Sequence, residues 1–262
     1  QNAGLITQNG DPPYTAPHVR VTAHYLKETP LRLSNIRAPG KIANSFAVES
    51  FTDEIASAVQ VDPLDYRLRR LSDPRAIAVL QRAASLIGWQ ARPSPNPRAA
   101  QGNLLTGRGI AYVRYKQAEN YVAMAMEVAV DRASGRIGVR RVTCAHDCSL
   151  IINRDSLRNQ VEGSIMQTLS RALHEEVKFD ASRVTSVDWA SYPILRFPEA
   201  PAIEVDLIDH PELPPLGAGE ASTAPVAAAL GNAVFDATGI RLRSVPFTPE
   251  RVKAALSAAP AA

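Results

Sequence analysis

Residues 214–225 and the small-residue run after them place the strongest constraint on what this chain can form. Gly217 and Gly219 are separated by one residue, and a single carboxylate, Glu220, follows directly. Because glycine has no Cβ, the backbone at both positions can approach a bulky ligand closely. Serine, threonine and proline follow and are typical of a helix start, so the pattern predicts a helix over residues 226–238.

Two interpretations of Glu220 follow from this placement. The free N–H groups and the positive end of the predicted helix favour an ionised carboxylate there, unless burial opposes it. An ionised, partly desolvated carboxylate is a candidate general base, but the same residue can serve only to cap the helix, and spacing alone does not separate the two. A dinucleotide-binding fingerprint is disfavoured, because no apolar strand leads in and no glycine follows Gly219 at the required spacing.

Composition narrows the class of protein. A chain of 262 residues with 45% apolar and 21% charged residues is typical of a globular protein with one large domain or two smaller ones. The net charge of +3 is small and evenly spread, so nucleic-acid binding is not expected. No apolar stretch reaches the length of a membrane span. The first residue is Gln1, which suggests a processed chain, a subunit or a fragment.

Hydrophobic periodicity predicts the order of the elements. Alternation predicts strands at residues 18–27, 107–115, 120–131, 136–146 and 202–208. Helical spacing predicts helices at residues 42–60 and 155–173, after Asp62-Pro63, after Asp73-Pro74, and from Pro249. In the first of these helices a buried stripe is predicted from Val48, Phe51, Ile55 and Val59.

The predicted fold class is α+β, with mixed or antiparallel sheets and packed helices in two lobes. Three prolines and several polar residues in residues 93–102 are typical of a linker. The predicted division is therefore an N-terminal lobe of residues 1–92, which contains a strand, an arginine loop and helices, and a C-terminal lobe of residues 103–262.

Arg37 and Gln160 are candidate binding residues with ordinary alternatives. Arg37 lies in a Pro/Gly loop before a helix, where it either clamps an anionic ligand or remains a solvated surface charge, and the residues alone favour the surface charge. Gln160 lies off the apolar stripe of its predicted helix. Its amide can donate and accept at once, which suits a polar heterocycle, although a solvated glutamine is the ordinary interpretation.

Cys144, His146 and Cys148 share one face of a predicted strand. In an extended strand the two cysteines lie about 13 Å apart, too far to bind one ion together or to form a disulfide. Two buried, reduced thiols are therefore favoured over a zinc site.

Four segments in this order resemble one known family. They are Ile36-Arg37-Ala38-Pro39-Gly40 with the helix after it, Asp62-Pro63-Leu64-Asp65-Tyr66-Arg67, Gln160-Val161-Glu162-Gly163 after Ile152-Asn153, and Pro215-Leu216-Gly217-Ala218-Gly219-Glu220. Over residues 18–256 the chain resembles the C-terminal part of the molybdenum-binding subunit of the xanthine dehydrogenase and aldehyde oxidase family. Within that family it is most similar in character to the large subunit of isoquinoline 1-oxidoreductases.

The resemblance implies a molybdenum-pterin cofactor, in its cytosine dinucleotide form. It implies hydroxylation of an N-heterocycle or an aldehyde with water as the oxygen source, and the role of general base for Glu220. It assigns cofactor contacts to Arg37, Gln160, Gly217, Ala218 and Gly219, and no metal ligand to this chain. Many relatives carry an aromatic residue at the position of Pro39, so the substrate contacts near this loop are not carried over.

The resemblance also implies partners. Family members are longer, so a companion chain is expected to carry the N-terminal half of the molybdenum subunit. Two cysteines cannot ligate two iron-sulfur clusters, so a two-cluster iron-sulfur subunit is expected as a separate chain. A small-molecule substrate is implied, and the compartment, bacterial periplasm or cytoplasm, is left open. The alternative is a cofactor-free C-terminal fragment that acts as an assembly or interaction domain.

Overall fold

The computed structural model describes residues 7–31, 36–96, 98–117 and 119–258. The helices are α1 (Lys41–Ala58), α2 (Pro63–Leu68), α3 (Pro74–Ile87), α4 (Arg154–Leu173), α5 (Val226–Thr238) and α6 (Pro249–Ala258). The strands are β1 (Ala100–Gln101), β2 (Leu104–Arg114), β3 (Tyr121–Asp131), β4 (Ile137–Asp147) and β5 (Ala202–Ile208). The predicted α+β fold class is confirmed.

The strands form one mixed sheet in the order β1-β2-β3-β4-β5. Strands β1 to β4 pair with one another in antiparallel orientation. Strand β5 pairs with β4 in parallel orientation. Because side chains alternate along a strand, the sheet has two apolar faces. One face packs on α3 through residues such as Tyr112 and Ala123, and the other packs on α4 and α5 through residues such as Met124 and Cys144. The core therefore lies in two layers on either side of the sheet.

The helix that follows Glu220 is packed unusually close to the sheet. A Cβ at Gly109 of β2 would lie 2.2 Å from the backbone N of Ala233 and 2.3 Å from the carbonyl O of Ala229, both in α5. Gly107 meets the same helix one turn later, at Ala237. Only glycines in the strand and small residues in the helix permit this approach. The contact fixes α5, the helix that follows the loop of Glu220, against β2.

The predicted helix starts at Asp62 and Asp73 agree with the structure. Oδ1 of Asp62 accepts hydrogen bonds from the backbone N–H groups of Leu64 and Asp65 at 2.9 and 3.0 Å. Oδ1 of Asp73 accepts one from Arg75 at 3.0 Å. Each aspartate satisfies N–H groups that the helix itself leaves free.

The prediction of a buried apolar stripe on α1 is wrong. Phe51 is 59% exposed and Val59 is 54% exposed. The buried side of α1 instead carries polar residues, among them Glu49 and Asp53, each only 1% exposed. These charges face inward because Arg67, also fully buried, pairs with both. A buried ion pair thus overrides the apolar pattern of the helix.

The predicted strand at residues 18–27 is also wrong. These residues are exposed and form no ladder with another strand among those that the structure describes. Alternation indicates an extended chain, but a strand also needs a hydrogen-bonded neighbour. The predicted division of the chain at residues 93–102 stays a prediction. Among the described residues, no helix has the length and apolar character needed to cross a membrane.

Candidate active site

Glu220 lies immediately before the 3₁₀ turn Ala221–Thr223, which leads into α5. The carbonyl O of Glu220 accepts hydrogen bonds from Thr223, from Oγ1 at 2.6 Å and from the backbone N at 3.1 Å. The side chain of Glu220 is partly exposed. The tight turn therefore fixes the backbone and leaves the carboxylate free to point away from the helix.

Two distant segments hold the carboxylate. The hydroxyl of Tyr115, at the end of β2, donates a hydrogen bond to Oε1 of Glu220. The backbone N of Ala38 donates to Oε2 at 2.9 Å. Ala38 belongs to the arginine loop, has a positive φ of 58° and is buried in the apolar core. The carboxylate is thus held at both oxygens, from two directions.

Two lysines place positive charge near Tyr115 and Glu220. Nζ of Lys41 lies 5.1 Å from the centroid of the Tyr115 ring, and Nζ of Lys116 lies 5.6 Å from it. Burial raises the pKa of Glu220, but the hydrogen bonds from Tyr115 and Ala38 and the charges of the two lysines outweigh it, so the pKa is lowered overall. Glu220 is therefore ionised at neutral pH.

Tyr115 acts as a donor in this pair. Burial, together with the hydrogen bond to Glu220 and its negative charge, raises the pKa of the Tyr115 hydroxyl. The hydroxyl consequently keeps its proton and donates it toward the carboxylate.

Arg37 joins the loop of Glu220 to α4. Its Nε donates to the carbonyl O of Gly219 at 2.8 Å, and its Nη2 donates to Oε1 of Gln160 at 2.7 Å. Burial and the nearby charge of Arg171 lower the pKa of Arg37. The structure therefore brings together Arg37, Gln160 and Glu220, and Arg37 is a bridging residue and not a solvated surface charge.

The two glycines of the loop, Gly217 and Gly219, leave space around the loop. Neither Gly217 nor Gly219 has a positive φ. A Cβ at Gly217 would meet nothing within 4 Å, and one at Gly219 would lie 3.6 Å from Oε1 of Gln160. Ala218, between them, packs against the apolar core. The missing side chain thus leaves open space beside Gly217 in the loop that carries Glu220. Ala218 attaches this loop to the core.

The donors on this side suit an anionic, hydrogen-bonding cofactor such as a molybdenum-pterin. Gln160 uses its Oε1 on Arg37, and within the described residues its amide N has no protein partner. Nη1 of Arg171, further along α4, is buried and has no hydrogen-bond partner among the described residues. The Arg171 donor is costly unless a ligand satisfies it, because it is buried. Gln160 is exposed, so its amide N is accessible to a ligand. The residues present therefore fit such a group.

Behind the loop lies a buried polar contact. Nδ1 of His146 is 2.8 Å from Oγ of Ser222, two residues after Glu220. Burial lowers the pKa of His146 to about 4, so the ring is neutral. This contact supports the turn from the sheet side.

Cys144 and Cys148 are buried free thiols, as predicted. Burial raises the pKa of Cys144 to about 12 and that of Cys148 to about 11. In the absence of a metal ion both thiols therefore keep their protons. Over the part of the chain that the structure describes, no group of three or more potential ligands is placed to hold a metal ion.

Sequence reasoning missed Tyr115, Lys41, Lys116 and the N–H group of Ala38. Tyr115 and Glu220 are 105 residues apart, and no local pattern links them. The only sequence signal was the position of Tyr115 at the end of a predicted strand, where polar side chains of a site often lie.

Comparisons with known proteins show what this chain is similar to. The family model described as a molybdopterin cofactor-binding domain matches residues 111–201. One nicotinate dehydrogenase subunit from Pseudomonas putida is 46% identical over 252 residues, which cover 94% of this chain and 21% of that protein. The isoquinoline 1-oxidoreductase beta subunit from Brevundimonas diminuta is 34% identical over 215 residues, 82% of this chain and 26% of that protein.

A solved structure supports the fold. The aldehyde oxidoreductase of Desulfovibrio gigas matches with a TM-score of 0.73 at 15% identity, over 86% of this chain and 42% of that chain. The family match defines a molybdopterin cofactor-binding domain, and the solved structure agrees with it in fold. The chain belongs to the xanthine dehydrogenase and aldehyde oxidase family, as part of its molybdenum-binding subunit. It spans 21% and 26% of the length of the two relatives named above.

Proposed function

We propose that this chain forms the base-bearing wall of the active site of a molybdenum hydroxylase. The observation that carries the proposal is the state of Glu220, which is ionised and held at both oxygens but has no ion-pair partner among the described residues. A carboxylate in this state can accept a proton without first breaking a salt bridge. Its substrate would be an N-heterocycle or an aldehyde, with water as the oxygen source.

Each residue has one role in this proposal. Glu220 accepts the proton that water gives up as its oxygen is transferred to the substrate. Tyr115 and Ala38 keep the carboxylate in one orientation, so that its free lone pairs face the reacting atoms. When the cofactor is bound, it supplies the two-electron redox chemistry. Arg37 and the amide N of Gln160 hold the pterin side, which we propose is the cytosine dinucleotide form.

The proposal includes companion chains. The relatives are several times longer than this chain, so residues outside these 262 would supply the rest of the cofactor cavity. Electrons would leave through an iron-sulfur subunit, since the two cysteines here cannot ligate two iron-sulfur clusters. Relatives named as acting on nicotinate and isoquinoline favour an N-heteroaromatic substrate over an aldehyde.

The test is coexpression with the companion polypeptides, followed by metal analysis and turnover in ¹⁸O-labelled water. The expected result is stoichiometric molybdenum, a pterin dinucleotide, and ¹⁸O in the hydroxylated product. Product oxygen that derives from O₂ would overturn the mechanism. An assembled complex that never contains molybdenum would overturn the enzyme function and favour a cofactor-free assembly domain.

A further inference from the structure

A cavity of about 620 Å³ lies at the end of the sheet where β2 begins and β3 ends. This size is typical of small-molecule sites. Glu220 lies near the opposite end, because Tyr115, which bonds it, follows the last residue of β2. The chain from Arg108, in the cavity wall, to Tyr115 is extended and spans roughly 23 Å. The cavity is therefore not part of the Glu220 site.

Arginine dominates the wall of this cavity. The charged residues among its described lining are Arg92, Arg98, Arg108, Arg140 and Glu127. Arg92 is already paired, because its Nη1 and Nη2 each donate to a carboxylate oxygen of the buried Asp236 at 2.6 Å. This bidentate pair attaches the segment after α3 to α5, and it leaves three arginines for a ligand.

Arg108 is fixed in orientation but lacks partners for its side-chain donors. Its guanidinium carbon lies 4.1 Å from the centroid of the Trp89 ring, and Nε1 of Trp89 donates to Oδ2 of Asp62 at 3.0 Å. Nε and Nη2 of Arg108 are buried and have no hydrogen-bond partner among the described residues. Burial and the charge of Arg92 lower the pKa of Arg108, yet an arginine keeps its proton in proteins. Buried donors of this kind are costly unless an anion satisfies them.

Arg98 and Arg140 bring two further free charges to the wall. Both residues are exposed. Over the described ranges, neither side chain forms a hydrogen bond or an ion pair. Exposed guanidinium groups without a protein partner are accessible to a ligand from solvent, so these two arginines complement the buried donors of Arg108.

The carboxylates near the cavity do not cancel these charges. Glu127 is the cross-strand neighbour of Arg108, but within the described part of the chain it forms no ion pair with it. Asp62 and Asp236 are buried behind the wall and already accept hydrogen bonds from other side chains. Four arginines against these three carboxylates leave a net charge of +1. The excess positive charge belongs to guanidinium groups that have no partner.

The number and geometry of these donors suit phosphate. A carboxylate offers two oxygens, whereas a phosphate group offers three or more and has a charge of about −1.5 to −2 at pH 7. The planar guanidinium group matches phosphate oxygens in bidentate geometry. The amide groups of Gln90 and Asn96 also line the cavity and can donate further hydrogen bonds.

We propose that this cavity binds a phosphate group, as the free ion or on a small molecule, through Arg98, Arg108 and Arg140. Arg108 supplies the oriented, buried donors, and the two exposed arginines bind the remaining oxygens. The site goes beyond the proposed function, because it uses none of the residues around Glu220.

Calorimetric titration of the assembled enzyme with inorganic phosphate tests this site. We expect Arg98→Met and Arg140→Met each to raise Kd by about 10-fold, the effect of one exposed charge-assisted hydrogen bond. Added salt should weaken the binding as well. Because neither side chain has a protein partner, both variants should keep the wild-type Tm. The control is Arg132→Met, which changes an exposed arginine in the turn between β3 and β4 and should leave Kd unchanged.

Two further titrations identify the ligand chemistry. Acetate should bind at least about 10-fold more weakly than phosphate, since it has a single charge and two oxygens. Phenyl phosphate distinguishes the two sources of a phosphate group. Tighter binding of phenyl phosphate than of inorganic phosphate would indicate a phosphorylated small molecule, and equal binding would indicate the free ion. Both results support the site.

Four results would overturn the inference. They are no phosphate binding by the wild type, equal affinity for acetate, an unchanged Kd in both Arg98→Met and Arg140→Met, and an equal loss in Arg132→Met. A loss of pterin dinucleotide from Arg98→Met and Arg140→Met would also overturn it, because these arginines would then hold the cofactor. Calorimetry requires no turnover, so this result does not depend on whether the proposed enzyme function is correct.

Discussion

Two glutamates, Glu49 and Glu220, are each held by a tyrosine hydroxyl and a backbone N–H group, yet their surroundings give them opposite roles. Oε1 of Glu49 accepts from the hydroxyl of Tyr14 at 2.6 Å, and Oε2 accepts from the backbone N of Tyr112 at 2.9 Å. Oε2 also pairs with Nε of Arg67 at 2.9 Å, and both side chains are at most 1% exposed. Glu49 is fully occupied in joining α1 to the sheet and to α2.

Glu220 has the same two kinds of donor but no arginine in an ion pair. Tyr115 and Ala38 supply its hydrogen bonds, and positive charge comes from nearby residues such as Lys41 and Arg37, which form no ion pair with it among the described residues. Its carboxylate is partly exposed and has no ion pair within the described part of the chain. A direct, buried ion pair therefore makes a carboxylate structural, whereas hydrogen bonds and more distant charges keep a carboxylate ionised and available to accept a proton.

The largest effect is expected from removing the arginine that distinguishes the two sites. Arg67→Met leaves Glu49 buried without its cation and Asp53 with Arg241 as its remaining cation, and it should lower the free energy of unfolding by about 3 to 5 kcal/mol. Urea unfolding of the variant measures this loss. The control is Arg69→Met, which breaks an exposed pair with Asp65 and should change stability by less than about 0.5 kcal/mol. Equal losses in both variants would contradict the structural role of the buried pair.

The same substitution at the two glutamates should have different consequences for stability. Glu49→Gln leaves the Arg67 charge partly uncompensated in the core and should cost about 2 to 4 kcal/mol. Glu220→Gln breaks no ion pair and should change the free energy of unfolding by less than about 1 kcal/mol. Thermal and urea unfolding of both variants give the comparison. A larger loss at Glu220 than at Glu49 would reverse the assignment of roles.

A third test uses the titration of His146, which contacts Ser222 in the turn after Glu220. Burial lowers the pKa of His146 from 6.5 to about 4, so the unfolded chain binds a proton more readily than the folded chain between these values. Stability is thus fully present above pH 6.5 and falls as pH drops toward 4, by up to about 3 kcal/mol.

In His146→Asn, an amide can keep the contact with Ser222 but cannot titrate. The fall in unfolding free energy between pH 6.5 and 4 should shrink by most of that amount, as measured by urea unfolding at several pH values. A variant with an unchanged pH dependence would show that His146 is not the group responsible.

The smallest effect is expected from removing the tyrosine hydroxyls. Tyr115→Phe takes away a hydrogen bond that lowers the pKa of Glu220, so this pKa should rise by about one unit and the acidic limb of kcat/KM should move to higher pH with it. Tyr14→Phe removes the matching bond at Glu49 and should cost about 1 kcal/mol of stability without moving the pH profile.

Carboxyl ¹³C NMR titration of Glu220, assigned by its loss in Glu220→Gln, checks the Tyr115→Phe result without turnover. If the pKa of Glu220 is unchanged in Tyr115→Phe, the hydrogen bond has no part in setting it.

The elements of the fold were predictable where local sequence sets them. Asp62 and Asp73 cap helices that start at the next residue, and alternation located the central strands β2, β3 and β4 to within about three residues. The buried face of α1 was not predictable in this way. It depends on Arg67, which lies 18 residues beyond Glu49, and on Tyr14 from a segment without periodicity.

The candidate site was predictable only through its motifs. Glu220, Arg37 and Gln160 belong to segments with a recognisable order, and the structure brings them together. Tyr115 and Lys116 are far from Glu220 in sequence, and only the packing of β2 against the loop makes them neighbours. Residue pairs formed by tertiary packing leave no periodic signal in a single sequence.

The central claim is that Glu220 is an available base beside a bound molybdenum cofactor. The most direct measurement is single-turnover reduction of the assembled enzyme by substrate, in wild type and Glu220→Gln preparations with equal molybdenum content. The account predicts a rate at least about 100-fold lower in Glu220→Gln, with cofactor content and substrate affinity retained. A variant that is reduced at the wild-type rate would contradict it.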